Sequence, residues 1–156
     1  MARDKYSLEP LMQVRKASAE TAAVALAKAA DARRTAEESR VRAEEAIVRA
    51  EAAADSIREA GRAAKPMTAE ELAAVDAWEI GEQKERAERS DRLKAALAVE
   101  TEQKAREEAA RNEAIKRQVD AKVVEKDRKR WQEAQDRRKD SIEEERAVEG
   151  WAKRND

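Results

Sequence analysis

Gly61, Lys65-Pro66 and then Met67-Thr68-Ala69-Glu70-Glu71-Leu72 form the stretch on which the fold of this chain turns. Thr68 is the residue type of a helix N-cap, and Glu71 stands three positions on, as a capping box requires. Met67 at N′ and Leu72 at N4 have the spacing of a hydrophobic staple. Gly61 suits the C′ position of a preceding helix, and Pro66 blocks that helix from continuing. One helix stop followed by one helix start predicts two long helices and one turn. The predicted fold class is all-α, a long antiparallel two-helix coiled-coil hairpin: one elongated domain over 1–156, with helix one over about 7–60, a turn at 61–68 and helix two over about 69–149.

Composition supports helices over a globular core. The chain has 156 residues, 44% of them charged, with no Phe and only 3% aromatics. Such a balance also suits disorder. However, Ala, Glu, Arg and Lys are all strong helix formers, and three Gly and two Pro leave few breaks. Long coiled-coil helix is therefore the favoured reading.

The first helix is expected to open at Ser7, with Pro10 tolerated in its first turn. A 4-3 spacing picks out Leu8, Met12, Arg15, Ala19, Ala22, Leu26, Ala29, Arg33, Ala36, Arg40, Ala43, Ile47, Ala50, Ala54 and Ile57. Twelve of these fifteen are apolar, which makes a heptad seam; its three arginines weaken the match. The second helix reads less well. Leu72, Val75, Trp78 and Ile80 cluster near its start, and Gly81 to Asp91 is almost wholly polar. Leu93, Leu97 and Val99, then Ile115, Val119, Val123 and Val124, then Trp131 and Ile142 follow. Gly81 is the expected kink. Acid-first i, i+4 pairs compensate: Glu82–Arg86, Glu85–Arg89, Glu88–Arg92, Glu100–Lys104, Glu102–Arg106, Glu107–Arg111, Glu113–Arg117, Glu125–Lys129 and Glu133–Arg137. At 1.5 Å per residue the helices would be roughly 80 Å and roughly 120 Å long, so the second would overhang near the termini or bend.

Several function classes lose their chemistry. Histidine and cysteine are absent, which removes imidazole acid/base work, thiol nucleophiles, disulfides and ordinary zinc sites. Carboxylate groups such as Glu37-Glu38, Glu44-Glu45 and Glu143-Glu144-Glu145 are expected to be solvated, whereas acid/base catalysis needs them desolvated in a cleft. No phosphate-binding glycine loop, serine elbow or metal spacing appears. No enzyme activity, catalytic residue, cofactor or metal is expected. A net charge of −1 exerts no general pull toward nucleic acid or anionic membrane. From Lys116 to Lys139 ten basic residues face five acidic ones, with Trp131 among them. The interleaved Asp127, Glu133 and Asp136 favour a solvated face, or a docking surface for an acidic protein, over a nucleic-acid site. The apolar run from Ala22 to Ala27 is far short of a membrane span, and no signal-peptide core follows Met1, so a cytoplasmic protein without membrane insertion is expected. Trp78 suits tip packing and partner binding equally. Trp151, after Gly150, reads as a frayed terminus.

Tyr6-x-Leu8-x-x-Leu11-x-x-x-Arg15 resembles the aromatic-x-Leu-x-x-Leu-x-x-x-Arg opening of the type III secretion stalk proteins, the flagellar FliJ and injectisome YscO-SctO type. The chain length, the single central turn and a second helix that is basic and then acidic (Lys126 to Glu149) are similar too. The alanine content and scarce aromatics depart from many members. The resemblance implies a hairpin like the coiled coil of a rotary ATPase γ subunit, a monomer standing at the cytoplasmic face of a membrane-embedded secretion apparatus. It implies three partners: a hexameric export ATPase, the cytosolic domain of an export gate protein, and secretion chaperones. Tyr6, Leu8, Leu11, Arg15, Arg128, Arg130, Trp131, Arg137 and Arg138 are then the candidate ATPase contacts, and Leu72, Val75 and Trp78 the candidate gate contacts. The alternatives are a homodimeric coiled-coil scaffold or tether unrelated to secretion, and an RNA- or ribosome-associated helical arm.

Overall fold

The computed structural model describes residues 5–63 and 66–154. Two helices make up 93% of it: α1, Glu9–Arg62, and α2, Ala69–Ala152, packed against each other with no strand among the described residues. The fold is an all-α helical hairpin. Arg15, Arg33, Arg40 and Arg58 of α1 pair in turn with Asp120, Glu107, Glu100 and Glu79 of α2, so the helices run antiparallel. The chain divides into two compact units. One is Met1–Leu26 with Ala110–Asp156, and the other is Ala27–Ala109.

The capping box at the start of α2 forms both of its reciprocal bonds. The Glu71 N–H donates to Thr68 Oγ1 at 3.3 Å, and the Thr68 N–H donates to Glu71 Oε2 at 2.7 Å. Residues 64 and 65 of the expected turn lie outside the described residues. Other local expectations are corrected. Gly61 is not a left-handed C′ residue: α1 continues through it to Arg62, and no glycine among the described residues has positive φ. Met67 turns toward α1, its methyl 4.0 Å from where a Gly61 Cβ would stand. Leu72 stays 53% exposed, outside the groove that Met67 lines.

At the other boundaries, α1 opens two residues after Ser7, because the Leu8 carbonyl accepts the first intrahelical bond from the Met12 N–H at 2.9 Å. Helix α2 runs without interruption through Gly81 and past Gly150 to Ala152. Arg154 Nε then donates to the Gly150 carbonyl at 3.2 Å, satisfying one of the acceptors that a helix end leaves open.

The α1 seam lies where its 4-3 spacing puts it. Met12, Ala36 and Ala54 are buried, and the seam is exposed only at Leu8 and Ile57, its first and last members. The three arginines belong to it. Arg15 pairs with Asp120 at 2.8 Å, Arg33 with Glu107 at 2.7 Å and Arg40 with Glu100 at 2.6 Å. Each aliphatic stem covers the alanine-lined contact while the guanidinium reaches across to a carboxylate.

The α2 seam differs from its apolar residues. Leu93, Ala96, Glu100, Gln103, Glu107, Ala110, Ala114, Arg117, Ala121, Val124, Arg128 and Trp131 turn inward at strict 4-3 spacing. Leu97, Val99, Ile115, Val119, Val123 and Ile142 are exposed. Alanines line much of this contact, and Arg33 and Arg40 of α1 pair with the inward carboxylates Glu107 and Glu100 opposite them. Two of the expected intrahelical pairs give way to other partners: Glu82 binds Arg89 at 2.6 Å, and Glu125 binds Lys16 across the helices at 3.2 Å. No helix among the described residues is long and apolar enough to cross a membrane.

Candidate functional site

In the unit holding both chain termini, Tyr6 folds back onto α2. Its hydroxyl donates to Asp127 Oδ2 at 2.5 Å. Its ring lies 5.5 Å from that of Trp131, tilted 49°, and packs with Met12 and Val124. The carboxylate acceptor raises the Tyr6 hydroxyl from its ordinary 10.0 to about 12, with burial and the Asp127 charge acting in the same direction. Arg128 pairs with Glu9 at 3.3 Å and touches the Met12 sulfur.

The nine candidates expected for one partner surface therefore divide. Tyr6, Arg15, Arg128 and Trp131 make contacts within the unit. Leu8 and Leu11 are 41% and 39% exposed, and Arg130, Arg137 and Arg138 stand in solvent. Leu8, Leu11, Arg130, Arg137 and Arg138 are thus the candidates left exposed in this unit, while Tyr6 and Trp131 form an aromatic latch between its segments.

In the other unit, Ile57, Gly61, Met67, Ala74, Val75 and Trp78 line an open apolar groove of about 520 Å³ beside the turn. Arg58 closes one side. It grips Glu79 with two nitrogens at 3.0 and 3.3 Å, and its guanidinium carbon stands 5.7 Å from the centre of the Trp78 ring. Through that hydrogen bond and charge, Arg58 holds the Glu79 carboxyl below the ordinary carboxylate value. Of the three residues expected here, Val75 and Trp78 share the groove and Leu72 does not.

No family model matches the chain, and neither do the curated proteins or the solved structures compared with it.

Among the described residues no group of three or more Asp and Glu is placed to hold a metal ion. Sequence reasoning missed Asp127, Arg58 and Glu79, which orient Tyr6 and Trp78. Their signal was present but weak: an arginine or tyrosine partly buried at a helix contact needs a polar partner from the other helix. The exposed Ile115, Val119 and Val123 form a further apolar stripe at i, i+4 spacing on α2.

Proposed function

We propose that this chain is a non-enzymatic central stalk of a type III secretion export apparatus, coupling a hexameric export ATPase to the cytosolic domain of an export gate and escorting chaperones. The observation that carries this reading is the terminal surface. The Tyr6-x-Leu8-x-x-Leu11-x-x-x-Arg15 opening leads into α1 of an antiparallel helix pair, with Tyr6 and Arg15 bonded to α2 and Leu8 and Leu11 left exposed. A motif split in this way serves two purposes. Its inward residues set the helix register, and its outward leucines are free to contact a partner. Ion pairs brace the helices in both units, which suits a part that transmits position and needs no catalytic centre of its own. The Val75–Trp78 groove is the candidate contact for the gate.

The purified chain is expected to stimulate hydrolysis by the hexameric export ATPase of its own cell. Leu8→Ala with Leu11→Ala should lose most of that stimulation while keeping full helicity by circular dichroism. Unchanged hydrolysis together with no co-elution of the two proteins would overturn the reading.

A further inference from the structure

We propose that the C-terminal part of α2, residues 131–151, is a self-pairing element on which a second copy of this chain docks antiparallel, with the two-fold axis at Ser141. Every side chain from 136 to 149 is exposed, although upstream the same helix turns residues inward every three or four positions. Internal ion pairing is thin here. Arg137 reaches Glu133 only at 4.0 Å and Lys139 reaches Asp136 at 3.7 Å. Among the described residues, Arg138, Glu143, Glu144 and Glu145 have no ion-pair partner.

The order of charges decides the occupant. Arg137-Arg138-Lys139 and Glu143-Glu144-Glu145 flank Asp140-Ser141-Ile142. Antiparallel docking about Ser141 sets Lys139 level with the second copy's Glu143, Arg138 with Glu144, Arg137 with Glu145, and Asp136 with Arg146. A parallel, in-register pair would set each block against itself. An acidic partner would satisfy the first block and repel the second, and a nucleic acid would do the same. A second copy satisfies both, which is the self-complementarity of a two-fold interface.

Four of the six apolar residues from 131 to 151 obey the same symmetry; Ile142 comes level with Asp140 and Ala147 with Gln135, and Glu133 with Glu149 is the one like-charged pair. Ala134, Arg138, Ser141, Glu145 and Val148 share a helix face at 4-3 spacing, with the small serine where the helices cross. Ala134 comes level with the second copy's Val148, and Trp151, which is 68% exposed in the single chain, comes level with the second copy's Trp131, whose ring packs on Tyr6 within its own chain. Exposed ion pairs are individually weak and sensitive to salt, so the dimer is reversible and its geometry is set by charge. It also buries Arg137 and Arg138, so self-pairing and use of those residues toward another partner exclude one another.

The test is sedimentation velocity of the full chain over a range of concentrations, at low and high salt. Wild type should dimerise reversibly, weakening at least about tenfold from low to high salt. The triple variants Arg137→Glu/Arg138→Glu/Lys139→Glu and Glu143→Lys/Glu144→Lys/Glu145→Lys should each be monomeric. Their equimolar mixture should restore the dimer, because each then meets opposite charge at both blocks. Should a reversed block unwind the helix by circular dichroism, Glu143→Gln/Glu144→Gln/Glu145→Gln keeps helix-forming side chains and should still lose the dimer. A wild type that stays monomeric, a dimer that survives in either triple alone, or a mixture that stays monomeric would each overturn the proposal. None of these readings involves an ATPase, so they stand apart from the stalk proposal.

Discussion

Tyr6 shows how one side chain can report on a whole contact. It is the only tyrosine in the chain, so tyrosinate absorbance reads it alone. Its hydroxyl is raised to about 12 by donation to Asp127, whereas an unfolded tyrosine titrates near 10.0. The stabilisation from the neutral hydroxyl is thus fully present below pH 10 and lost as pH rises through about 12. Alkaline titration of the native chain should show tyrosinate appearing near that upper value. In Asp127→Asn it should move back toward 10, since the carboxylate is the leading cause of the shift. A wild type that already titrates near 10.0 would mean that the latch does not close in solution. The aromatic residue at position 6 was legible as a feature of the N-terminal opening; that it would be buried was not. Only the approach of Asp127 and Trp131 from a remote part of the chain supplies its acceptor and its cover.

At the scale of the element, the two helices were unequally legible. Helix α1 carries its seam as alanines and larger aliphatics at heptad spacing, a pattern that local periodicity detects. Helix α2 turns Glu100, Gln103 and Glu107 inward, residue types that periodicity assigns to solvent. The capping box was legible because its two bonds join residues three apart. Thr68→Ala should therefore cost about 1 kcal/mol in denaturant unfolding, and a loss near zero would show that the box is idle in solution. The expected kink at Gly81 is not a break in the helix, and a Cβ there meets nothing within 4 Å. Gly81→Ala should accordingly stabilise by about 0.5–1 kcal/mol, whereas a destabilising result would point to a bend that needs glycine.

At the scale of the whole molecule, alanine and charge share the work of holding two helices together. Ala54 is 2% exposed, so Ala54→Leu should destabilise by about 1–3 kcal/mol through overpacking, while Ala52→Leu, on the exposed face of the same turn, should change little. Equal effects at both positions would deny close packing at the seam. The ion pairs make stability depend on acid. Lys104, then Arg40, lowers the Glu100 carboxyl below its ordinary 4.5, and Arg58 lowers Glu79. Groups lowered in this way stabilise the fold above that ordinary value and cease to as pH falls through the lowered one. The melting temperature should thus drop on acidification below about pH 4.5, with a smaller drop in Glu100→Gln.

Local chemistry in the sequence settled the two helices, the capped start of α2 and the face that α1 buries, because caps and heptads act over three to seven residues. Pairing between the helices settled the rest: which α2 residues turn inward, why three seam arginines are welcome, and where Tyr6 and Trp78 find their partners. A carboxylate on an isolated helix is indifferent to which way it faces. It acquires a preferred face only when an arginine stands across a contact narrow enough, through alanine, for the two to meet.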